Sequence, residues 1–156
     1  MSGSGVGQFT HLLVPTDGSA LSHRAAQRAV AIAADMRARV TFFHALPQPR
    51  QSFFSGEGGG FVDQMPPEEF ERACEETAAR CLGELQALAA AAQVVSDTVI
   101  ASAVAPFEGI IEAATARGCD LIVMASHGRR GLKGLILGSQ THKVLTHSTL
   151  PVLVYR

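Results

Sequence analysis

The sequence has no run of residues long and apolar enough to cross a membrane, which excludes a spanning helix from the expected architecture. It has no excess of charge: 13 basic and 14 acidic side chains leave a formal net charge of -1, so no general pull toward nucleic acid or an anionic membrane is expected. Cysteine is scarce. Cys74, Cys81 and Cys119 make no even disulfide framework and no C-x-x-C pair, which predicts buried thiols in a reducing compartment. His11, His23, His44, His142 and His147 lack metal-ligand spacing, so each is expected in a surface or core role. Met1 to Gly7 is rich in Gly and Ser and unlike a signal peptide, so a cytoplasmic protein with a disordered tail over residues 1–8 is expected. The Gly3-Ser4-Gly5-Val6-Gly7 run is no dinucleotide fingerprint, because it precedes a strand where that motif must follow one.

What the 156 residues do hold is 47% hydrophobic content, enough for one core and one domain, expected over residues 9–156. The most informative stretch is Met124-Ala125-Ser126-His127-Gly128, followed by Gly138-Ser139. It reads as a strand end, a glycine-bearing loop over about 126–137 and a helix start. A phosphate needs backbone N–H groups brought close without side-chain bulk, and the first turn of a helix supplies unpaired ones. Gly128 and Gly138 suit the close approach, and Ser139 suits a helix N-cap that also touches an oxygen.

Strands and helices alternate along the chain. Leu12 to Pro15 reads as a first strand, and Asp17-Gly18-Ser19 turns into a helix with an apolar stripe of Leu21, Ala25, Ile32 and Met36. Val40 to Ala45 is a second strand, rich in β-branched and aromatic residues. Residues 47–66 hold prolines and a Gly-rich run, too long for an ordinary connection, and are expected to be mobile. A long helix restarts at Pro67 with Glu68, Glu69 and Glu71 favourably placed in its first turn and a stripe of Phe70, Cys74, Cys81, Leu85 and Leu88. That spacing makes Cys74 and Cys81 core residues rather than a redox couple. Val94 to Ile100 is a third strand, Pro106 opens a helix carrying Ile110, Ile111 and Ala114, and Gly118 stops it. Cys119 to Ala125 is the fourth strand, Ser139 to Leu145 a helix ended before Pro151, and Val152 to Tyr155 the last strand.

This alternation implies an α/β fold, an open five-stranded parallel sheet with helices on both faces. In such sheets ligands sit beyond the carboxyl ends of the strands, where the strand order reverses. Taking the order as 3-2-1-4-5, an assumption that spacing alone does not fix, Pro15-Thr16-Asp17 and Ala125-Ser126-His127-Gly128 face one another across that crevice.

On these residues the chain resembles the universal stress protein family, over nearly its whole length. The family's loop runs Gly, two residues, Gly, nine residues, Gly and Ser or Thr, and maps here onto Ala125, Gly128, Gly138 and Ser139. The resemblance extends to Asp17 after the first strand, to His44-Ala45 at the end of the second, and to Leu150-Pro151-Val152-Leu153-Val154. It implies a Rossmann-like fold of the adenine nucleotide alpha hydrolase type and a site for ATP, with Ala45 lining the adenine pocket and Met124, Ala125, His127, Gly128, Gly138, Ser139, Gln140 and Thr141 around the phosphates. Asp17, an acceptor-only group when ionised, would take ribose hydroxyls or help hold Mg2+ with the phosphates, or else cap its helix. Arg129, Arg130 and Lys133 would screen phosphate charge or be solvated loop charges. Family members pair their last strand across a two-fold axis, which implies a homodimer through Pro151 to Tyr155.

Two positions depart from the family pattern. Ala125 stands where the family has glycine, and a methyl aimed at the ligand would cost about 1–3 kcal/mol through overpacking. Val104 stands where the family often has glycine. Three readings follow: an ATP-binding regulatory or stress-response module with little or no hydrolysis, a nucleotide-free dimeric interaction module of the same family, and an adenylating enzyme. The third ranks last, because Thr16-Asp17-Gly18-Ser19 does not match the Ser-Gly-Gly-x-Asp-Ser loop of ATP pyrophosphatases. No catalytic residue is assigned, since the sequence sets neither nucleophile nor carboxylate beside His127; a weak ATPase is the most it allows.

Overall fold

The computed structural model describes residues 7–48, 66–128 and 137–156. Most of the segment expected to be mobile, most of the expected tail, and Arg129, Arg130 and Lys133 lie outside the described residues. The elements run β1 (His11–Pro15), α1 (Ala20–Met36), β2 (Arg39–Leu46), α2 (Pro67–Ala91), β3 (Ser96–Ser102), α3 (Pro106–Ala116), β4 (Leu121–Ala125), α4 (Ser139–His147) and β5 (Val152–Tyr155). All pairings are parallel and the strand order is 3-2-1-4-5, so the order assumed from the sequence holds. Among the described residues no helix is long and apolar enough to cross a membrane.

The inner strands are buried on both faces, so their side chains divide by the two-residue period of a strand. Leu12, Val14, Phe42 and Val123 point to one side and pack with Ala29, Val30 and Ala33 of α1 and Leu82 and Leu85 of α2. Leu13, Phe43, Ile122 and Met124 point to the other and pack with Ile110 and Ala114 of α3 and Val144 of α4.

Three helices stop in the same way, with one residue in the left-handed region and two backward hydrogen bonds. Arg37 (φ 55°), Gln93 (φ 57°) and Gly118 (φ 65°) take that place, and the next amides, of Ala38, Val94 and Cys119, donate to Ala33, Ala89 and Ala114. Only Gly118 takes that conformation without side-chain cost. The motif explains a difference from the sequence reading at β3. Val94 is 6% exposed because it closes the α2 cap onto the core, Val95 is 70% exposed, and the strand begins at Ser96.

The α2 stripe is also rotated from the one expected. Ala78, Leu82, Leu85 and Ala89 are the buried residues, while Cys74 and Cys81 are half-buried. Alanines at 78 and 89 let the helix approach β2 and β3, which turns both cysteines toward clefts at the carboxyl ends of the strands.

The amino ends of the strands carry a polar cluster. Thr41 Oγ1 donates to Asp97, so the 2.7 Å contact between it and His11 Nε2 makes the imidazole the donor. Arg39 and Arg117 pair with Asp97 at 3.4 and 3.1 Å, and Asp120 accepts from the Thr10 and His11 amides at 2.8 and 3.0 Å.

Candidate nucleotide site at the strand ends

At the carboxyl end of β1 the chain makes a tight turn into α1. Gly18 takes φ 77° and its amide donates to Thr16 Oγ1 at 3.1 Å. Asp17 Oδ1 accepts from the Ser19 amide at 2.9 Å, and Ser19 caps α1 by accepting from the Ser22 amide at 3.2 Å. Asp17 is therefore held by the turn after it, while the cap itself is Ser19. The second carboxylate oxygen of Asp17 lies against Gly128, where any side chain at position 128 would overlap it.

Gly128 and Asp17 belong to loops that follow the neighbouring strands β4 and β1, and these two residues meet. Neither Gly128 nor Gly138 has a left-handed φ. What each needs is the missing side chain. A Cβ at Gly138 would stand 3.0 Å from His127 Cα and 3.1 Å from Ser126 O, and the Gly138 amide donates to that same Ser126 oxygen at 2.7 Å. The ends of the glycine-bearing loop are thus pinched together directly ahead of α4.

Ser139 is not the cap of α4. Gly138 holds the cap position in an extended conformation (ψ 149°), its amide already taken by Ser126, so the helix begins at Ser139 with an exposed hydroxyl and no side-chain cap bond. The next two side chains are occupied by the protein. Gln140 Oε1 accepts from the Phe107 amide at 3.0 Å, and the buried Thr141 hydroxyl donates to Ala125 O at 2.9 Å. His127 Nδ1 lies 3.1 Å from Ser126 Oγ. Ser126 and the supporting bonds of Gln140 and Thr141 escape the sequence, because their distant partners come near only in the folded chain.

The Ala125 methyl does not face the loop. It packs with Leu21 and Ala25 of α1 and with Tyr155. Met124 points into the α3–α4 core, and Pro15 and Thr16 are buried at the end of β1. Ala45 is half-buried near the end of β2, one strand away. A cavity of about 190 Å³ opens on the α2 side of the β1 turn, lined by Thr16, Gly18, His23 and Cys81 among others. Thr16 Oγ1 and Cys81 Sγ are 3.7 Å apart on its wall. This cavity does not extend to Gly128 or Gly138.

A family model described as the universal stress protein family matches residues 8–156. The chain belongs to the universal stress protein family. Universal stress protein YxiE of Bacillus subtilis is 32% identical over 148 residues, 95% of this chain and 99% of that one. The solved structure of universal stress protein UspA from Lactobacillus plantarum superposes with a TM-score of 0.79 at 25% identity, covering 96% of this chain and 99% of the other. A universal stress protein solved in complex with cAMP shares the fold, with a TM-score of 0.67 at 24% identity over 96% and 98% of the two chains.

In this universal stress protein the donor set can be weighed for Mg2+. Among the described residues no group of three His, Cys, Asp or Glu side chains could hold a metal alone. One carboxylate, Asp17, beside a pinched glycine loop fits the way Mg2+ is usually held, by one or two carboxylates together with substrate phosphates.

Proposed function

We propose that this protein binds ATP, with Mg2+, across the ends of β1 and β4, and works as a nucleotide-dependent regulatory module with little or no hydrolysis. One observation carries the reading: the Asp17 carboxylate stands against Gly128, which sets an acceptor for ribose or metal beside a residue without a side chain. The pinched Gly138 then presents the first turn of α4, whose N–H groups lack intrahelical acceptors and whose dipole favours an anion. Met124, Gln140 and Thr141 would shape this place from below, with Ser139 touching the phosphates and Ala45 bordering the adenine.

A nucleotide-free module is the competing reading, and its ground in the sequence is Ala125. With that methyl packed on Leu21, Ala25 and Tyr155, it no longer weighs against a ligand. Little turnover is expected because the imidazole nearest the loop, His127, has its Nδ1 engaged with Ser126 rather than with a carboxylate.

The module is a cytoplasmic homodimer in this proposal. Its three thiols are free, as a reducing compartment allows, and β5 pairs with β4 along one edge at the border of the sheet. A second copy pairing along the other edge of Val152–Tyr155 would close two-fold. Ser126 ties that strand to the loop, because its amide donates to Tyr155 O at 2.7 Å.

Calorimetric titration with Mg-ATP tests the nucleotide, and Ser139→Ala tests the phosphate contact. Loss of about 1.5–3 kcal/mol with an unchanged fold is expected for a hydroxyl bonded to a charged phosphate. Wild-type affinity in Ser139→Ala would remove Ser139 from the ligand set. Sedimentation showing only a 16.4 kDa species at micromolar protein would remove the dimer.

A further inference from the structure

The first turn of α3 is capped from the wrong place. Its cap residue, Ala105, has no side-chain acceptor, and Pro106 brings no N–H, so the first donor needing a partner is the Phe107 amide. Ala105 has the extended backbone of an ordinary cap (φ -127°, ψ 127°), where a serine or aspartate would serve locally. The partner comes instead from Gln140, 33 residues later, in the first turn of α4. That turn is held at two further points, by the Gly138 amide on Ser126 O and by the Thr141 hydroxyl on Ala125 O. Loop, β4 and α3 each take one bond from three residues that surround Ser139.

We propose that Gln140 is a positioning residue, which aims the first-turn amides of α4 at the anionic end of the ligand by tying that turn to the start of α3. The proposal rests on the nucleotide reading above and deepens it: side chains at 140 and 141 hold the cradle, while backbone amides and Ser139 meet the phosphate. The tie is separable from the docking of the two helices, since Phe107 also packs its ring at a tilt against His147, with ring centroids 5.1 Å apart, and carries Lys143 Nζ 5.3 Å from its ring centre. Losing Gln140 therefore loosens one turn without undocking the pair.

The experiment compares wild type, Gln140→Ala, and Gln140→Ala with Ala105→Ser, which restores a local cap to α3 without the tie. Each is titrated with Mg-ATP and with adenosine, and each is followed by amide exchange at His142 to Leu145 without ligand. Gln140→Ala is expected to bind ATP about fivefold to tenfold more weakly with adenosine affinity unchanged. Ala105→Ser should recover the thermal midpoint and leave the ATP loss and faster exchange in place. Recovery of ATP affinity by Ala105→Ser, or equal losses for ATP and adenosine, would make Gln140 a helix cap only and overturn the proposal. If wild type gives no heat with either ligand, the nucleotide reading fails by itself. The exchange arm then decides: faster exchange in the double variant keeps Gln140 as the brace of that turn, and unchanged exchange rejects it.

Discussion

The carboxylate of Asp17 occupies the space that a side chain at Gly128 would need, so the loops after β1 and β4 interlock through one acid and one glycine. Gly128 has no left-handed φ, which makes the requirement one of space. Gly128→Ala should therefore push the Asp17 carboxylate aside at a cost of about 1 kcal/mol, the low end of overpacking, because the obstacle is a side-chain end that can rotate. In an Asp17→Ala background the same change should cost little, because its obstacle is gone. A chemical-denaturation double-mutant cycle reads this directly, and additive costs would show that the two loops do not share the space.

Gly138 gives a parallel case with another obstacle. A methyl there meets the His127 Cα at 3.0 Å and the Ser126 carbonyl at 3.1 Å, both on the main chain, where no side-chain rotation makes room. Gly138→Ala should weaken the pinch, lower stability by about 1–3 kcal/mol, and reduce ATP affinity more than adenosine affinity. Equal effects on both ligands would place the glycine outside the phosphate cradle.

The far end of the sheet predicts a pH dependence. Burial first, and then the Arg39 charge, hold the His11 imidazole below its ordinary 6.5, against the opposing pull of Asp97 and Asp120. The unfolded chain therefore takes up this proton at higher pH than the native one. Stability from this group is complete above about pH 6.5 and is lost as pH falls from there toward the lowered native value. His11→Gln keeps a donor for Thr41 without titrating, so the wild type should lose more stability than the variant between pH 7.5 and 5.5. Asp120 adds a second, more acid window. Burial would raise its carboxyl, but the amides of His11 and Thr10 and the Thr10 hydroxyl outweigh that and hold it below 3.8. Its contribution is lost as pH falls below that range.

The three thiols should separate on reaction with a neutral disulfide reagent. Burial, aided by Asp97, pushes the Cys119 thiol up to about 11, although Thr41 opposes it, and the residue is 5% exposed. At pH 8 the native protein should label at Cys74 and Cys81 alone, with Cys119 reacting only on unfolding. Labelling of all three at one rate in folded protein would contradict the packing of β4.

Much of the architecture was legible because the strands advertise themselves. Leu12 to Val14 and Leu121 to Met124 are unbroken apolar runs, the mark of strands covered on both faces. The close approaches at Gly128 and Gly138 were legible for a similar reason, since a residue without a side chain marks one. Helix ends at Arg37 and Gln93 were not, because a left-handed residue other than glycine is held by the cap bonds and the packing behind it. The rotation of α2 was hidden by Ala78 and Ala89, whose small size decides how closely the helix seats but gives a weak apolar signal. The role of Gln140 was hidden most deeply: its partner is 33 residues away and exists only once α3 and α4 pack.

The proposed adenine nucleotide sits between Asp17, Gly128 and the first turn of α4. Mass spectrometry of the supernatant after denaturing freshly purified protein, followed by Mg-ATP calorimetry on any empty fraction, tests it most directly. ATP in the supernatant is expected, or saturable heat that Asp17→Ala and Ser139→Ala both diminish. Empty protein that gives no heat up to about millimolar ATP, a limit of roughly -4 kcal/mol, would contradict it and leave the nucleotide-free dimer as the reading.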